Sequence, residues 1–289
     1  MANGTRRHFG KLQRKSLYRE RILIPCVFLR QSPMLTVISP AKTLDYDTPA
    51  VTEEFSQPAH LTQSRQLIRR LRELGSDDIA RLMNVSDTLA ELNRKRYRQW
   101  KTPFKPDNAR QALFAFKGDV YLGLDAYSLD QDGIAFAQQH LRILSGLYGI
   151  LRPLDLMQPY RLEMGTRLDT DQGSNLYQFW NGRLTQNLNK TLREAGAETL
   201  VNLASNEYFK AIKPKQLKAQ VVTPAFREYR NGEYRFIQFF AKKARGLMAR
   251  FIIDQRVDQA AGLRDFDYEG YRYSADLSND SEWVFTRRQ

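Results

Sequence analysis

The chain has 289 residues, of which 42% are hydrophobic and 27% charged, and its formal net charge is +13. That length supports one large domain or two small ones, and the composition is ordinary for a soluble globular protein. No apolar run approaches the roughly 20 residues of a membrane helix, and a single cysteine, Cys26, excludes an internal disulfide.

The charge is unevenly spread. Residues 1–33 carry eight basic side chains against Glu20 alone, a balance of +7, which leaves +6 for the other 256 residues. This leader has three readings. Arg6-Arg7 followed by the apolar Ile22 to Leu29 resembles a twin-arginine export signal, although no small-x-small cleavage site follows. A basic tail adding nonspecific nucleic-acid affinity is the second. The third, which the pattern favours, is an over-long start. Met34 opens the strand-like Leu35-Thr36-Val37-Ile38, and composition changes sharply there.

In chain order, Leu35 to Ile38 reads as a short buried strand with Ser39-Pro40-Ala41-Lys42 at its C-terminal end. Leu61 to Leu74 reads as an amphipathic helix ending at Gly75. Ser76 can cap a second helix, and Ser86 a third that runs to about Trp100. Asp107 to Phe116 is helix-like and is broken by Lys117-Gly118-Asp119-Val120-Tyr121. Phe136 to Leu144 reads as helix, then Ser145 to Pro159 is rich in glycine and proline. Leu176 to Leu192 reads as helix and Thr199 to Leu203 as a buried strand. Ser205 can cap a short helix, Asn206 to Ile212. Asn231-Gly232 marks a hairpin between Gln220–Tyr229 and Glu233–Phe240. Ala244 to Val257 is a helix with basic edges, and Tyr268 to Tyr273 and Trp283 to Thr286 are closing strands. The mixture predicts a single α/β (mixed α+β) domain over 34–289, with a mixed sheet and surrounding helices.

Leu141 to Asp155 is the most distinctive stretch. Two glycines, Gly146 and Gly149, interrupt an apolar run, as in the helix-hairpin-helix that brings backbone amides close to a DNA phosphate. Arg142 and Arg152 would add charge on either side. The spacing departs from the motif, with two residues between the glycines where one is usual, and Pro153 limits a second helix. A Schellman-type helix end followed by a turn is the alternative.

Lys42 stands where α/β proteins place ligands, to contact phosphate or act as an amine nucleophile. An ordinary solvated lysine is the plain alternative. On the basic-edged helix Lys242 shares a side with Arg245, and Lys243 with Arg250, which suits phosphate tracking or a plain solvated face. Arg161 and Glu163 suit a cleft wall or a structural ion pair. Glu163 with Asp155 suits acid–base work. P-loop, dinucleotide, zincin and serine-hydrolase motifs are all missing. His60 and His140 are the only histidines after the leader, so direct iron ligation would fall to carboxylates.

Several stretches, in order, resemble the YaaA family. They are Ile38-Ser39-Pro40-Ala41-Lys42-Thr43-Leu44-Asp45-Tyr46, Phe116 to Tyr121, Leu144 through Met164, Asn202 to Phe209 and Ala241 to Arg250. The resemblance covers essentially all of 34–289. It implies a YaaA-type α/β fold with an embedded helix-hairpin-helix and a basic cleft, in a cytoplasmic DNA-binding protein that limits iron-linked damage during hydrogen peroxide stress. By position, the hairpin becomes Ser145, Gly146, Leu147, Tyr148 and Gly149 through Leu151. The expected cleft residues are Lys42, Lys117, Arg152, Arg161, Lys242, Lys243 and Arg245, with Arg142 added from the local pattern. The expectation is binding to DNA without strong sequence specificity, as a monomer, with no cofactor, metal or membrane partner. The alternative is an uncharacterised enzyme acting on DNA or nucleotides at the same cleft, with Lys42, Asp155 or Glu163 as its catalytic candidates.

Overall fold

The computed structural model describes residue 1 and residues 33–288. The readings of the basic leader fall outside those residues.

Strand β1 (Met34–Ile38) is followed by β2 (Thr43–Leu44), α1 (Leu61–Arg72), α2 (Ser76–Met83) and α3 (Asp87–Gln99). Next come β3 (Arg110–Gln111), α4 (Ala112–Ala115), β4 (Phe116–Lys117), α5 (Asp119–Leu124) and α6 (Gln131–His140). Then follow β5 (Leu141–Ser145), β6 (Gly149–Leu151), β7 (Leu156–Met157), α7 (Leu176–Trp180), α8 (Arg183–Ala195), β8 (Thr199–Leu203) and α9 (Asn206–Phe209). The chain closes with β9 (Gln220–Arg230), β10 (Glu233–Arg235), α10 (Gln238–Asp254), β11 (Arg272–Tyr273) and β12 (Glu282–Arg287).

Eight strands form one mixed sheet in the order β11-β12-β9-β8-β1-β5-β6, with β10 paired to β9. β1 is central, and all five of its residues are buried. A parallel strand covered on both faces has no solvent side, so its sequence shows no polar alternation. Helix α1 turns Leu67, Ile68 and Leu71 inward and its arginines outward. Ser86 caps α3 by accepting the Leu89 amide. Asn231 and Gly232 both take positive φ (52° and 88°), as the tight β9–β10 hairpin requires.

The helix-hairpin-helix expected over Ser145 to Asp155 is not formed there. Leu141 leaves α6 in an extended conformation, and Leu141–Ser145 joins the sheet beside β1. The chain then reverses through Gly146-Leu147-Tyr148 into β6, pairing Ser145 with Gly149 and Ile143 with Leu151. Ser145 Oγ accepts the Tyr148 amide at 2.9 Å and closes the turn. Leu141, Ile143 and Leu144 follow α6 directly, and so short a buried run cannot be told from a buried helix by periodicity.

Other boundaries also moved. Gly75, not Ser76, precedes α2, and the Asp78 carboxylate accepts its amide at 3.0 Å. The helix expected over Leu176 to Leu192 is split at Asn181-Gly182, where Gly182 has φ 81°. Of Asp107 to Phe116 only Ala112–Ala115 is helical. Helix α10 starts six residues before the expected Ala244.

The two hairpin glycines are required by packing. A Cβ on Gly146 would stand 2.1 Å from the Leu162 carbonyl oxygen, and one on Gly149 (φ 72°) 2.8 Å from Trp180 and Leu184. Trp180 Nε1 also donates to the Gly146 carbonyl at 3.0 Å. We therefore expect Gly146→Ala and Gly149→Ala each to lower stability by about 2–4 kcal/mol through overpacking and, at 149, backbone strain. Urea denaturation would show it, and a loss below about 0.5 kcal/mol would contradict this packing.

Candidate functional site

Parallel pairing of β1 with β5 and β8 carries the segments that follow them to one edge of the sheet. Ligands of open α/β sheets bind at that carboxyl edge. Here the edge begins with two serines. The Ser205 amide donates to Ser39 Oγ at 2.8 Å, and Ser39 Oγ donates to Ser205 Oγ at 3.3 Å. Tyr121 donates to the Ser39 carbonyl at 3.1 Å, which fixes the start of the Ser39-Pro40-Ala41-Lys42 loop.

Beyond the serines, Lys42 Nζ stands 3.3 Å from Glu163 Oε1. Arg161 holds the same oxygen with Nη2 at 3.0 Å and Nε at 3.1 Å. The lysine side chain is 67% exposed and the other two 16%, so Lys42 is the solvent-facing member of this triad. One carboxylate between two cations leaves a net positive charge. Glu163 Oε2 is buried and has no hydrogen-bond partner among the described residues. Below lies a shell of phenols, of which Tyr160 stands out in the sequence beside Arg161 and Tyr97 does not. Tyr97 donates to the Arg161 carbonyl, and Tyr160 shares a 2.6 Å hydrogen bond with Ser145. Burial pushes the Tyr97, Tyr121, Tyr160 and Tyr208 hydroxyls well above their ordinary pKa, so the floor of the site is neutral.

Lys117, at the end of β4, reaches Asp45 Oδ2 at 3.6 Å. Gly118 follows it and abuts Ala41, since a Cβ there would lie 3.3 Å from the Ala41 methyl. Helix α5 then packs directly on α10. A Cβ on Gly123 would meet the Lys243 carbonyl at 2.3 Å, and one on Gly246 the Val120 carbonyl at 1.8 Å. With six residues, α5 is only about 9 Å long. It thus links the Lys42–Lys117 loops to the first turns of α10. There Lys243 is paired with Glu269. Lys242 is exposed, and Arg245 is half-buried. Neither Lys242 nor Arg245 has a hydrogen-bond or ion-pair partner among the described residues. Burial lowers the pKa of Arg245, as it does for any cation withdrawn from water without a counter-charge.

The remaining expected site residues lie elsewhere. Ser145, Gly146, Leu147, Tyr148 and Gly149 are fully buried and present no amides to a surface ligand. Arg142 and Arg152 line a cleft of about 740 Å³ with Pro33, which precedes β1, at the opposite end of that strand. Arg142 Nη1 donates to the carbonyls of Gln138 and Leu141, capping the end of α6. Burial lowers its pKa to about 10. Asp155 accepts from the Arg152 amide at 2.8 Å, from Arg152 Nε at 3.1 Å and from Ser56 Oγ at 2.6 Å. It is a buried anchor, apart from Lys42 and Glu163. No group of three His, Cys, Asp or Glu side chains positioned to hold a metal occurs among the described residues. No helix there is long and apolar enough to cross a membrane.

Known sequences place this arrangement in context. Residues 34–277 match the family described as peroxide stress protein YaaA. A UPF0246 protein of Hahella chejuensis is 57% identical over 254 residues, covering 88% of this chain and 99% of the relative. One from Shewanella loihica is 58% identical over 256 residues, covering 89% and 99%.

Asp45 gives this edge a pH signature. The Thr48 amide holds its carboxyl down at about 2, helped by the Thr48 hydroxyl, the Asp47 amide and Lys117 against the opposing effect of burial. An ordinary aspartate titrates near 3.9. A depressed folded pKa adds stability above the unfolded value and loses it as pH falls through the folded one. Asp45→Asn should therefore be destabilised relative to the parent at about pH 6, with the gap closing towards about pH 2. Urea midpoints that stay parallel across that range would show that the carboxylate does not anchor this loop.

Proposed function

Given that the chain belongs to the YaaA family of peroxide stress proteins, we propose that it acts in that response by binding the DNA backbone along the carboxyl edge of its sheet. Lys42, Lys117, Lys242 and Arg245 are the phosphate contacts in this reading, with Arg161 and Lys243 as charged supports. The buried β5–β6 hairpin takes no part. Such binding would limit iron-linked oxidative damage to DNA.

The observation that carries the reading is Arg245. A half-buried guanidinium with no acceptor among the described residues is costly, because desolvation is not offset by a partner. Its retention beside the unpaired Lys242 fits a polyanion that supplies the missing charge. Lysines and arginines on a backbone read phosphate and not base edges, so sequence preference should be weak.

A second reading rests on the orphaned Glu163 Oε2 beside Lys42. An enzyme acting on DNA or nucleotides could use Lys42 as a nucleophile and Glu163 as its base. Product formed from lesion-bearing DNA by the parent and lost in Lys42→Ala would favour it.

The binding reading makes a paired expectation for Arg245→Met. Duplex affinity should fall about tenfold, equivalent to about 1.4 kcal/mol. The slope of log affinity against log salt should shrink by about 0.9, one phosphate contact. Stability in urea should be unchanged or higher, since an unpaired buried cation has gone. The basic leader contributes equally to both proteins and cancels. A folded Arg245→Met protein with parental affinity and slope would remove α10 from the interface.

A further inference from the structure

A large cleft lies beside the edge site, between the Tyr46–Phe55 loop, the end of α3 and the segment leading into β3. It encloses about 910 Å³, within the range of small-molecule sites. Ala50, Trp100 and Pro159 supply apolar wall, and Phe55, 47% exposed, stands at its lip.

Two guanidinium groups face this space. Arg96 is half-buried, and its one side-chain hydrogen bond among the described residues goes to the neutral Asn93 Oδ1 at 3.3 Å. Arg110 uses Nη2 on the Thr48 carbonyl and on the Tyr127 hydroxyl, while its Nε is buried without an acceptor. Neither is paired with a carboxylate among the described residues. Both lie close enough to act electrostatically on the Tyr46 hydroxyl, which donates to the Met157 carbonyl at 2.8 Å. Arg96 and the remaining Nη1 of Arg110 give this one cleft charged donors of the kind that suit the oxygens of a terminal phosphate. Lys101 adds a third cation to the walls, and Glu53 and Asp107 set two acids against it. That near balance disfavours a polyphosphate.

From this we infer that the cleft is a binding site for a small phosphomonoester of nucleoside monophosphate size, with Arg96 and Arg110 holding the phosphate and the apolar wall taking the body. The inference does not depend on DNA binding at the sheet edge.

Titration calorimetry of the full chain with AMP, inorganic phosphate and citrate tests it. Saturable AMP binding is expected, with inorganic phosphate weaker because it lacks the body. Arg96→Met should weaken AMP binding about tenfold or more while leaving the protein folded, and Arg96→Lys should restore part of it. Arg110→Met should act in the same direction. Should that variant fail to fold, Arg96→Met decides. No saturable heat with AMP at about 10 mM, well above ordinary ligand affinities, would overturn the assignment. So would AMP affinity unchanged in Arg96→Met. Binding of citrate alone would also overturn it, since the site would then select a carboxylate.

Discussion

Strand β1 has parallel partners on both sides. β8 matches all five of its residues, from Met34 beside Thr199 to Ile38 beside Leu203, and β5 matches Thr36 to Ile38. Everything at the candidate site depends on this pairing. It fixes which ends of three strands share an edge, and it brings Ser39 and Ser205, 166 positions apart, within hydrogen-bonding distance. A slip of one residue would turn every β1 side chain to the opposite face, disrupting the packing on both sides, and would shift the Lys42 loop relative to Glu163. Two close glycine contacts extend the frame outward. Gly118 meets Ala41, and Gly123 and Gly246 let α5 and α10 touch, so the first turns of α10 are tied to the same edge.

The two ends of β1 differ in how their cations are satisfied. At the amino end Arg142 caps a helix and Arg152 is locked to a buried aspartate. Those charges are spent on the protein itself. At the carboxyl edge one carboxylate serves both Lys42 and Arg161, and on α10, tied to that edge through α5, Lys242 and Arg245 have no acid partner among the described residues. A protein that leaves a desolvated guanidinium unpaired forgoes stability there, which is common where a ligand must bind. The distinction comes from local pairing. The overall charge of +13 does not supply it, since more than half lies in residues 1–33.

Much of the architecture was legible in the sequence. β1, β8 and the Asn231-Gly232 hairpin stand out because buried strands and tight turns each impose a short, local pattern. The mixed α/β class follows from them. Lys42 was legible as the residue following a strand, and Arg161 and Glu163 as neighbours able to pair. The stretch from Leu141 to Leu151 was not. Its apolar residues continue α6 without a break, and only tertiary pairing with β1 decides between helix and strand. Its glycines suggested phosphate contact, whereas their actual neighbours are the Leu162 carbonyl and Trp180. No local signal links Ser39 to Ser205, or Arg96 to Arg110, because each pair is joined only by the fold.

Hydrogen exchange of the full chain, measured with and without a saturating DNA duplex, tests the central claim most directly. Slowed exchange in the first turns of α10 and in the loop from Ser39 to Asp45, with Leu141 to Leu151 unchanged, is the predicted outcome. Protection confined to the Arg142–Arg152 cleft or to residues 1–33, with none in α10, would contradict it.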